Sequence, residues 1–215
     1  MKTRNASHPP HPASWLALAL IVCWPAGLHA SDPDLPFASG STGADGPLTF
    51  REVPGGRNSH AMAYDAVRQE VVLFGGYNGG GLADTWVWRG GPNWIRLLPP
   101  ASPPDRWNAG MVWDAARQQI VLFGGTRNTG RLNDTWTWNG TNWTHLTPTT
   151  SPTARDSVCI AYDAARQRVV MFGGNSGGQE TYLWDGVNWT LANPANRPPA
   201  TASSALAYHA TRQEC

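Results

Sequence analysis

The chain has 215 residues, with 16 basic and 15 acidic side chains and a formal net charge of +1 at pH 7. Only 14% of the residues are charged, whereas 23 are glycine, 18 are proline and 12 are tryptophan. This balance argues against a nucleic-acid partner, which would require a basic patch, and it favours short strands joined by tight turns over helices.

Residues 1–30 have the features of a secretory signal. Lys2 and Arg4 make the start of the chain positive, and the apolar run over residues 15–24 is too short to span a bilayer comfortably. We predict cleavage after Ala30, and therefore a secreted or periplasmic protein with no membrane span after cleavage. An uncleaved anchor is the alternative.

Two short segments separate the signal from the body of the chain. Residues 31–49 are rich in Ser, Asp, Pro and Gly, which predicts a flexible leader. Residues 50–53 then predict a lone outer strand, because Phe50 and Val53 occupy the positions of the tryptophan and leucine of later outer strands.

The rest of the chain, residues 50–215, is dominated by a repeat. An apolar run ending in Phe-Gly-Gly occurs at residues 71–76, 120–125 and 169–174, a spacing of 49 residues. Aligned on the paired glycines, the repeats span about 57–104, 105–154 and 155–200, and a partial copy spans 201–215.

Each full repeat predicts four short strands, which we call a, b, c and d. Strand b is the apolar run itself, which we expect to be buried on both faces. Strand a is predicted at 60–64, 110–113 and 158–162, strand c at 84–88, 134–138 and 180–184, and strand d at 93–97, 142–146 and 188–191.

The connections between these strands carry turn signals. An Asp opens each a–b turn, where its side chain can accept hydrogen bonds from the backbone two residues on. A glycine lies in each c–d hairpin. In strand c, Trp86 and Trp88 are two residues apart, so they point to the same face of the strand. We expect these tryptophans to pack between neighbouring repeats.

Phe-Gly-Gly, Asp-Thr-Trp and Asn-Trp recur in phase, and in this the chain closely resembles the kelch-repeat family. The resemblance covers about residues 50–215 and implies an all-β, kelch-type β-propeller with three complete four-stranded blades plus the start of a fourth. Since a propeller needs more blades to close, we expect an open arc that is the N-terminal part of a longer propeller. A ring completed by self-association is the alternative.

In-phase charged residues have two interpretations. Arg57, Arg106 and Arg155 precede strand a in the three repeats and would form a ring that binds anionic groups. Alternatively, each holds a backbone carbonyl or an acid in the next blade, and recurrence favours this structural role. The acids that open strand c, Asp84, Asp134 and Glu180, likewise suit catalysis or calcium binding, but a structural bond is the simpler explanation.

Residues that break the repeat are better functional candidates. Trp107 has no aromatic counterpart in the other repeats, and the b–c loops, which carry Tyr77, Arg127 and Arg131, differ in sequence. Variable loops on a rigid scaffold often carry recognition. We predict a ligand-facing patch formed by these four residues. Ordinary variation of loop sequence is the alternative.

These observations favour an exported, non-enzymatic scaffold that binds a protein or a glycan. The alternative is the N-terminal portion of a secreted carbohydrate-active kelch enzyme, either an oxidase or a sugar epimerase or mutarotase. Some kelch relatives are copper oxidases, but Cys159 has no accompanying Tyr and His set in sequence. We therefore predict no catalytic residue, metal ligand or cofactor, and we expect His60 to be a satisfied polar residue.

Overall fold

The computed structural model describes residues 54–176 and 178–215. The predicted signal, leader and lone outer strand, residues 1–53, lie outside the described residues. Across the described part, the chain forms three four-stranded antiparallel sheets and one two-stranded hairpin, with no helix. The all-β prediction is therefore confirmed.

Each four-stranded sheet is one blade. The first contains β1 (Ala61–Asp65), β2 (Glu70–Tyr77), β3 (Gly81–Trp88) and β4 (Ile95–Leu97). The second contains β5 (Gly110–Asp114), β6 (Gln119–Phe123), β9 (Thr135–Trp138) and β10 (Trp143–Leu146), and its b–c loop forms the hairpin of β7 (Thr126–Arg127) and β8 (Gly130–Arg131). The third contains β11 (Cys159–Asp163), β12 (Arg168–Phe172), β13 (Thr181–Trp184) and β14 (Trp189–Ala192).

Strand order within each sheet follows the sequence order a-b-c-d, as the repeat predicts. Strand c of the first blade begins earlier than predicted, because the ladder continues past a bulge to pair Tyr77 with Gly81. The hairpin β7–β8 was predicted only as a loop. Residues 201–215 form no strand, but His209 and Glu214 bridge where the fourth a–b turn falls. The three blades form an open arc that does not close into a ring.

The a–b turns are built as the sequence predicts. In the first, Asp65 Oδ1 accepts hydrogen bonds from the backbone N–H groups of Val67 and Arg68, at 3.0 Å each. Gln69 then adopts a left-handed conformation with φ of 55°. Gln118 and Gln167 do the same in the next two turns, so one local device closes strand a onto strand b in every blade.

The core lies between neighbouring blades. Strand b is buried in each blade, as its apolar run predicts. One cluster joins the first and second blades, and it contains Val72, Phe74, Val87, Ile120, Leu122, Trp138 and Trp143. A second joins the next pair of blades, and it contains Val121, Phe123, Val169, Met171, Trp184 and Trp189. Burial of such large aromatic surfaces is the main favourable contribution to blade stacking.

The first face of the arc, by which we mean the face of the first blade that points away from the second, shows how much surface blade stacking covers. Trp138 and Trp184 are fully buried against the preceding blade, whereas the equivalent Trp88 is 37% exposed. No described blade lies against Trp88. The prediction that the strand-c tryptophans pack between blades therefore holds for the second and third blades.

The glycine pair after strand b allows blades to approach closely. Gly124 has φ of +62°, and a Cβ atom there would lie 2.5 Å from the backbone oxygen of Arg155. Gly75 has the same conformation and would place a Cβ atom 2.6 Å from the oxygen of Arg106. Only glycine satisfies both the left-handed backbone and the short contact.

Candidate functional site

The arginines before strand a form ion pairs in which the arginine side chain is buried. Arg106 donates from Nη1 and Nη2 to the two carboxylate oxygens of Asp134, at 2.7 Å each, and from Nη1 to the carbonyl of Gly124 at 2.9 Å. Arg57 makes the same pair of bonds to Asp84, and Arg155 donates to Glu180 at 2.6 Å. Bidentate pairing of this kind is strong and directional.

The backbone of each of these arginines is bonded to the preceding blade. Arg106 N donates to Leu82 O at 3.0 Å, and Arg106 O accepts from Gly76 N at 2.9 Å. Arg155 repeats both bonds with Leu132 and Gly125. A single residue therefore ties two blades together, by its backbone to one and by its side chain to the other.

Two of these acids, Asp84 and Asp134, have a pKa below the usual value. Burial alone would raise the pKa of Asp134, but hydrogen bonds from Arg106 and Trp136 and the positive charge of Arg106 outweigh it, so the pKa lies below its usual value. The pKa of Asp84 is lowered against its burial in the same way by Arg57 and Trp86. In the Arg57–Asp84 and Arg106–Asp134 pairs, the charges of the arginine and the aspartate therefore balance each other within the protein.

This geometry gives Arg57, Arg106 and Arg155 a structural role. The acid belongs to the same repeat and not to the next blade, because strands a and c of one sheet begin at the same end, on either side of strand b. The side chains of Arg106 and Arg155 have no exposed surface with which to reach a ligand.

The residues that break the repeat lie at the b–c loops. The rings of Tyr77 and Trp107 meet edge to face, with centroids 5.0 Å apart. Trp107 also exchanges two backbone hydrogen bonds with Thr126, at 3.1 and 2.9 Å, which places the aromatic pair beside the hairpin β7–β8. Both rings belong to partly buried residues, so each retains some exposed surface.

Ion pairs brace this hairpin on both sides. Arg127 donates from Nη2 and Nε to Asp105 at 2.7 and 3.0 Å. Arg131 donates from Nε to Asp156 at 2.6 Å and from Nη1 to Ser176 at 3.1 Å. We call Tyr77, Trp107 and Arg127 the loop patch. Arg131 shares the hairpin but turns towards the third repeat.

A cleft beside the loop patch was not predicted from the sequence. It is an open cleft of about 400 Å³ between β3, β4 and the segment that leads into the second repeat. Its lining includes Leu82, Arg96, Leu98, Pro99, Ser102 and Asp105. A signal was present, because Arg96 and Leu98 also break the repeat: the second repeat has His145 and Thr147 at these positions, and the third has Leu191 and Asn193.

Other candidates for chemistry are few in the described part of the chain. No group of three His, Cys, Asp or Glu side chains there is placed to hold a metal ion. Cys159 is buried and makes no disulfide. The expectation for His60 was wrong, since its Nδ1 is buried without a hydrogen-bond partner. Among residues 54–176 and 178–215, no helix is long and apolar enough to cross a membrane.

Antiparallel four-stranded sheets that stack through aromatic cores, each with Phe-Gly-Gly near the end of its second strand, define the chain as a kelch-type propeller segment. The KLHDC2/KLHL20/DRC7 Kelch-repeats domain matches residues 45–183. The chain therefore belongs to the kelch-repeat family. A comparison with curated proteins found no match. Membership of this family suggests a protein-interaction scaffold.

Proposed function

We propose that this chain is an exported kelch-repeat scaffold that binds a protein partner through the loop patch. The observation that carries the proposal is the partly exposed edge-to-face pair of Tyr77 and Trp107, which no other repeat reproduces. Tyrosine, tryptophan and arginine are the residue types that most often dominate the energy of protein interfaces.

The pairing and exposure of the charged residues support this choice. The arginines and acids that recur in phase form ion pairs with each other within their own blade. By contrast, Arg127 retains 35% exposure of its side chain while Asp105 holds it in place. A partner would meet a surface that is already ordered, so less conformational entropy is lost on binding.

Two alanine variants test the loop patch. The chain, with or without Tyr77→Ala and Trp107→Ala, is used to capture proteins exported by its native host. We expect the captured set to be lost from both variants and retained by Val187→Ala. Val187 is 69% exposed on a c–d hairpin, at the opposite end of the strands from the b–c loops. Capture that is unchanged in the Tyr77 and Trp107 variants would contradict the proposal.

Glycan binding at the same patch is the alternative. Aromatic rings such as Trp107 offer a flat apolar surface to a sugar ring, so the same variants are applied to a glycan array. Specific glycan binding that needs Trp107, with no captured protein, would favour this alternative. Turnover of the glycan would instead favour the carbohydrate-active enzyme.

Export is tested separately. Residues 1–30 carry the charged start and apolar run of a secretory signal. We expect the chain in the secreted or periplasmic fraction, shortened at its N-terminus after Ala30. Retention of the full-length chain in the cytoplasm would contradict this part of the proposal.

Association of copies would be visible in the same preparations. Met62 and Tyr64 are about half exposed on the first face of the arc, beside Trp88, whereas the equivalent Met111 is buried against a neighbouring blade. A second copy that covered this face would raise the mass measured by light scattering as concentration increases. A constant monomer mass would exclude it.

A further inference from the structure

The cleft beside the loop patch carries a positive charge that has no acidic partner among the described residues. Arg96 is exposed on β4 and lines the cleft. Among the arginines of the described residues, it is the one whose guanidinium makes neither an ion pair nor a hydrogen bond to the protein. The others lie within ion-pair distance of an acid or, for Arg197, donate to Asn193.

The acids of the cleft do not neutralise Arg96. Both oxygens of Asp84 accept hydrogen bonds from Arg57, and Asp105 is paired with Arg127. Each of these carboxylates is therefore balanced by its own arginine. The charge that remains for an incoming group is that of Arg96, which favours an anionic side chain.

Apolar side chains stand next to this charge. Leu98 is 85% exposed, and Leu97 and Pro99 line the cleft beside it. The equivalent positions in the second and third repeats carry Thr147 and Asn193 in place of Leu98, so the blade does not require an exposed leucine here. A partner that offers an apolar residue next to an acid would match both features.

The cleft is continuous with the loop patch. Gly81 lines the cleft, and a Cβ atom on it would lie 2.6 Å from Asp105 Oδ2 and 3.2 Å from Cζ3 of Trp107. Because Gly81 has no side chain, Asp105 and the ring of Trp107 pack directly against it at the edge of the cleft. An extended segment of chain that contacts Trp107 can therefore continue into the cleft.

We propose that the protein partner inserts an extended peptide segment into this cleft, with an Asp or Glu side chain paired to Arg96 and an adjacent apolar side chain on Leu98. This inference rests on the proposed function, because it names the part of the partner that binds beside the loop patch. It also assigns Arg96, which the repeat pattern does not explain, to recognition.

A library of displayed random peptides tests this inference on the full chain. We expect the peptides selected to be enriched in an acidic residue beside an apolar one. For a selected peptide, fluorescence anisotropy should show that Arg96→Glu weakens binding by at least about fivefold, in line with an exposed ion pair. Added salt should weaken binding to the unaltered chain, since the charges are exposed.

Arg197→Glu is the matched control. It reverses the charge of another arginine that has no acidic partner, outside the cleft, and should leave binding unchanged. Both variants should melt at the temperature of the unaltered chain, because neither arginine is buried. Selection of no peptides, or of peptides that bind Arg96→Glu as well as the unaltered chain, would overturn the inference.

Trp107→Ala separates the two proposals. If it weakens peptide binding while Arg96→Glu does not, the loop patch stands and the cleft inference fails. If Arg96→Glu weakens binding while Trp107→Ala does not, the cleft binds the peptide and the loop patch loses its proposed role.

Discussion

Trp143 donates its indole N–H to Oγ1 of Thr85 in the preceding blade, over 2.9 Å. Trp189 makes the same bond to Thr135, also at 2.9 Å, one repeat later. Both tryptophans are almost completely buried, and each also meets a phenylalanine of the preceding blade edge to face. The outer strand of one blade is thereby locked to strand c of its neighbour by a bond that water does not reach.

Removing this donor should destabilise the stack of blades. We expect Trp143→Phe to lower the free energy of unfolding by about 1–3 kcal/mol, because the Thr85 hydroxyl is left buried without its partner. Chemical denaturation measures the loss. Trp94→Phe is the matched control, since Trp94 occupies the same position in the first repeat but makes no such bond within the described residues. Equal losses in the two variants would show that packing, and not the hydrogen bond, is responsible.

Adding a side chain at the paired glycine should be costly. Gly124→Ala forces a left-handed conformation and a Cβ contact of 2.5 Å with Arg155 O, so we expect a loss of more than about 3 kcal/mol. Gly178→Ala serves as the control. It has a similar φ of +53° and nothing within 4 Å of the added atom, so it should lose only about 1–2 kcal/mol. A thermal melt of Gly124→Ala that matches the control would refute the close approach.

Neutralising Asp134 should unpair a buried arginine. We expect Asp134→Asn to cost about 3–5 kcal/mol at neutral pH, because Arg106 is then buried without a counter-charge. Asp105→Asn, which breaks the more exposed pair with Arg127, should cost less than about 1 kcal/mol. Urea titration of both variants makes the comparison. Similar costs would mean that burial does not set the strength of these pairs.

The same variant predicts a pH dependence. The pKa of Asp134 is lowered in the folded state. The contribution of ionised Asp134 to the free energy of unfolding is therefore complete above the ordinary Asp pKa of about 3.9, and it is lost as the pH falls through the lowered value. The stability difference between the unaltered chain and Asp134→Asn should therefore shrink as the pH falls below about 4. A difference that stays constant to low pH would contradict this assignment.

His60 should make the chain sensitive to milder acid. Burial and the charge of Arg57 lower the pKa of His60, so the unfolded chain takes up a proton there before the folded chain does. Stability from neutral His60 is complete above about pH 6.5 and declines below it. His60→Ala, which copies the second repeat at Ala109, should reduce this decline. Urea titrations between about pH 7.5 and about pH 5 should show this smaller decline. An equal loss of stability with falling pH in the unaltered chain and in His60→Ala would rule it out.

Much of the blade architecture could be predicted from residues that act locally. Asp65 closes its turn with backbone groups only two and three residues away, and the apolar run from Val71 signals a buried strand by composition alone. These short-range interactions recur in every full repeat, so three copies support the same prediction of a turn followed by a buried strand. The predicted outer strand at residues 50–53 lies outside the described residues and stays a prediction.

The candidate site was only partly predictable. The departure of Trp107 from the repeat marked it as unusual, and the structure places it against Tyr77. Arg96 departs from the repeat in the same way but was overlooked, because nothing in the sequence shows whether an arginine has a partner. Some arginines pair with an acid three residues away, but the partners of Arg106 and Arg127 are more than 20 residues away in the chain and come within reach only in the folded structure.

The sequence by itself determined the period, the strands of each blade and the positions that must be glycine, since these depend on backbone hydrogen bonding and on side chains close along the chain. Which charged side chains are paired within the protein, and which remain free to contact a partner, depends on the tertiary structure. Arg106 and Asp134 are 28 residues apart in the chain and form an ion pair only when the sheet places the starts of strands a and c at the same end. Arg96 meets no acid on its outer strand, and its charge therefore remains available to a partner.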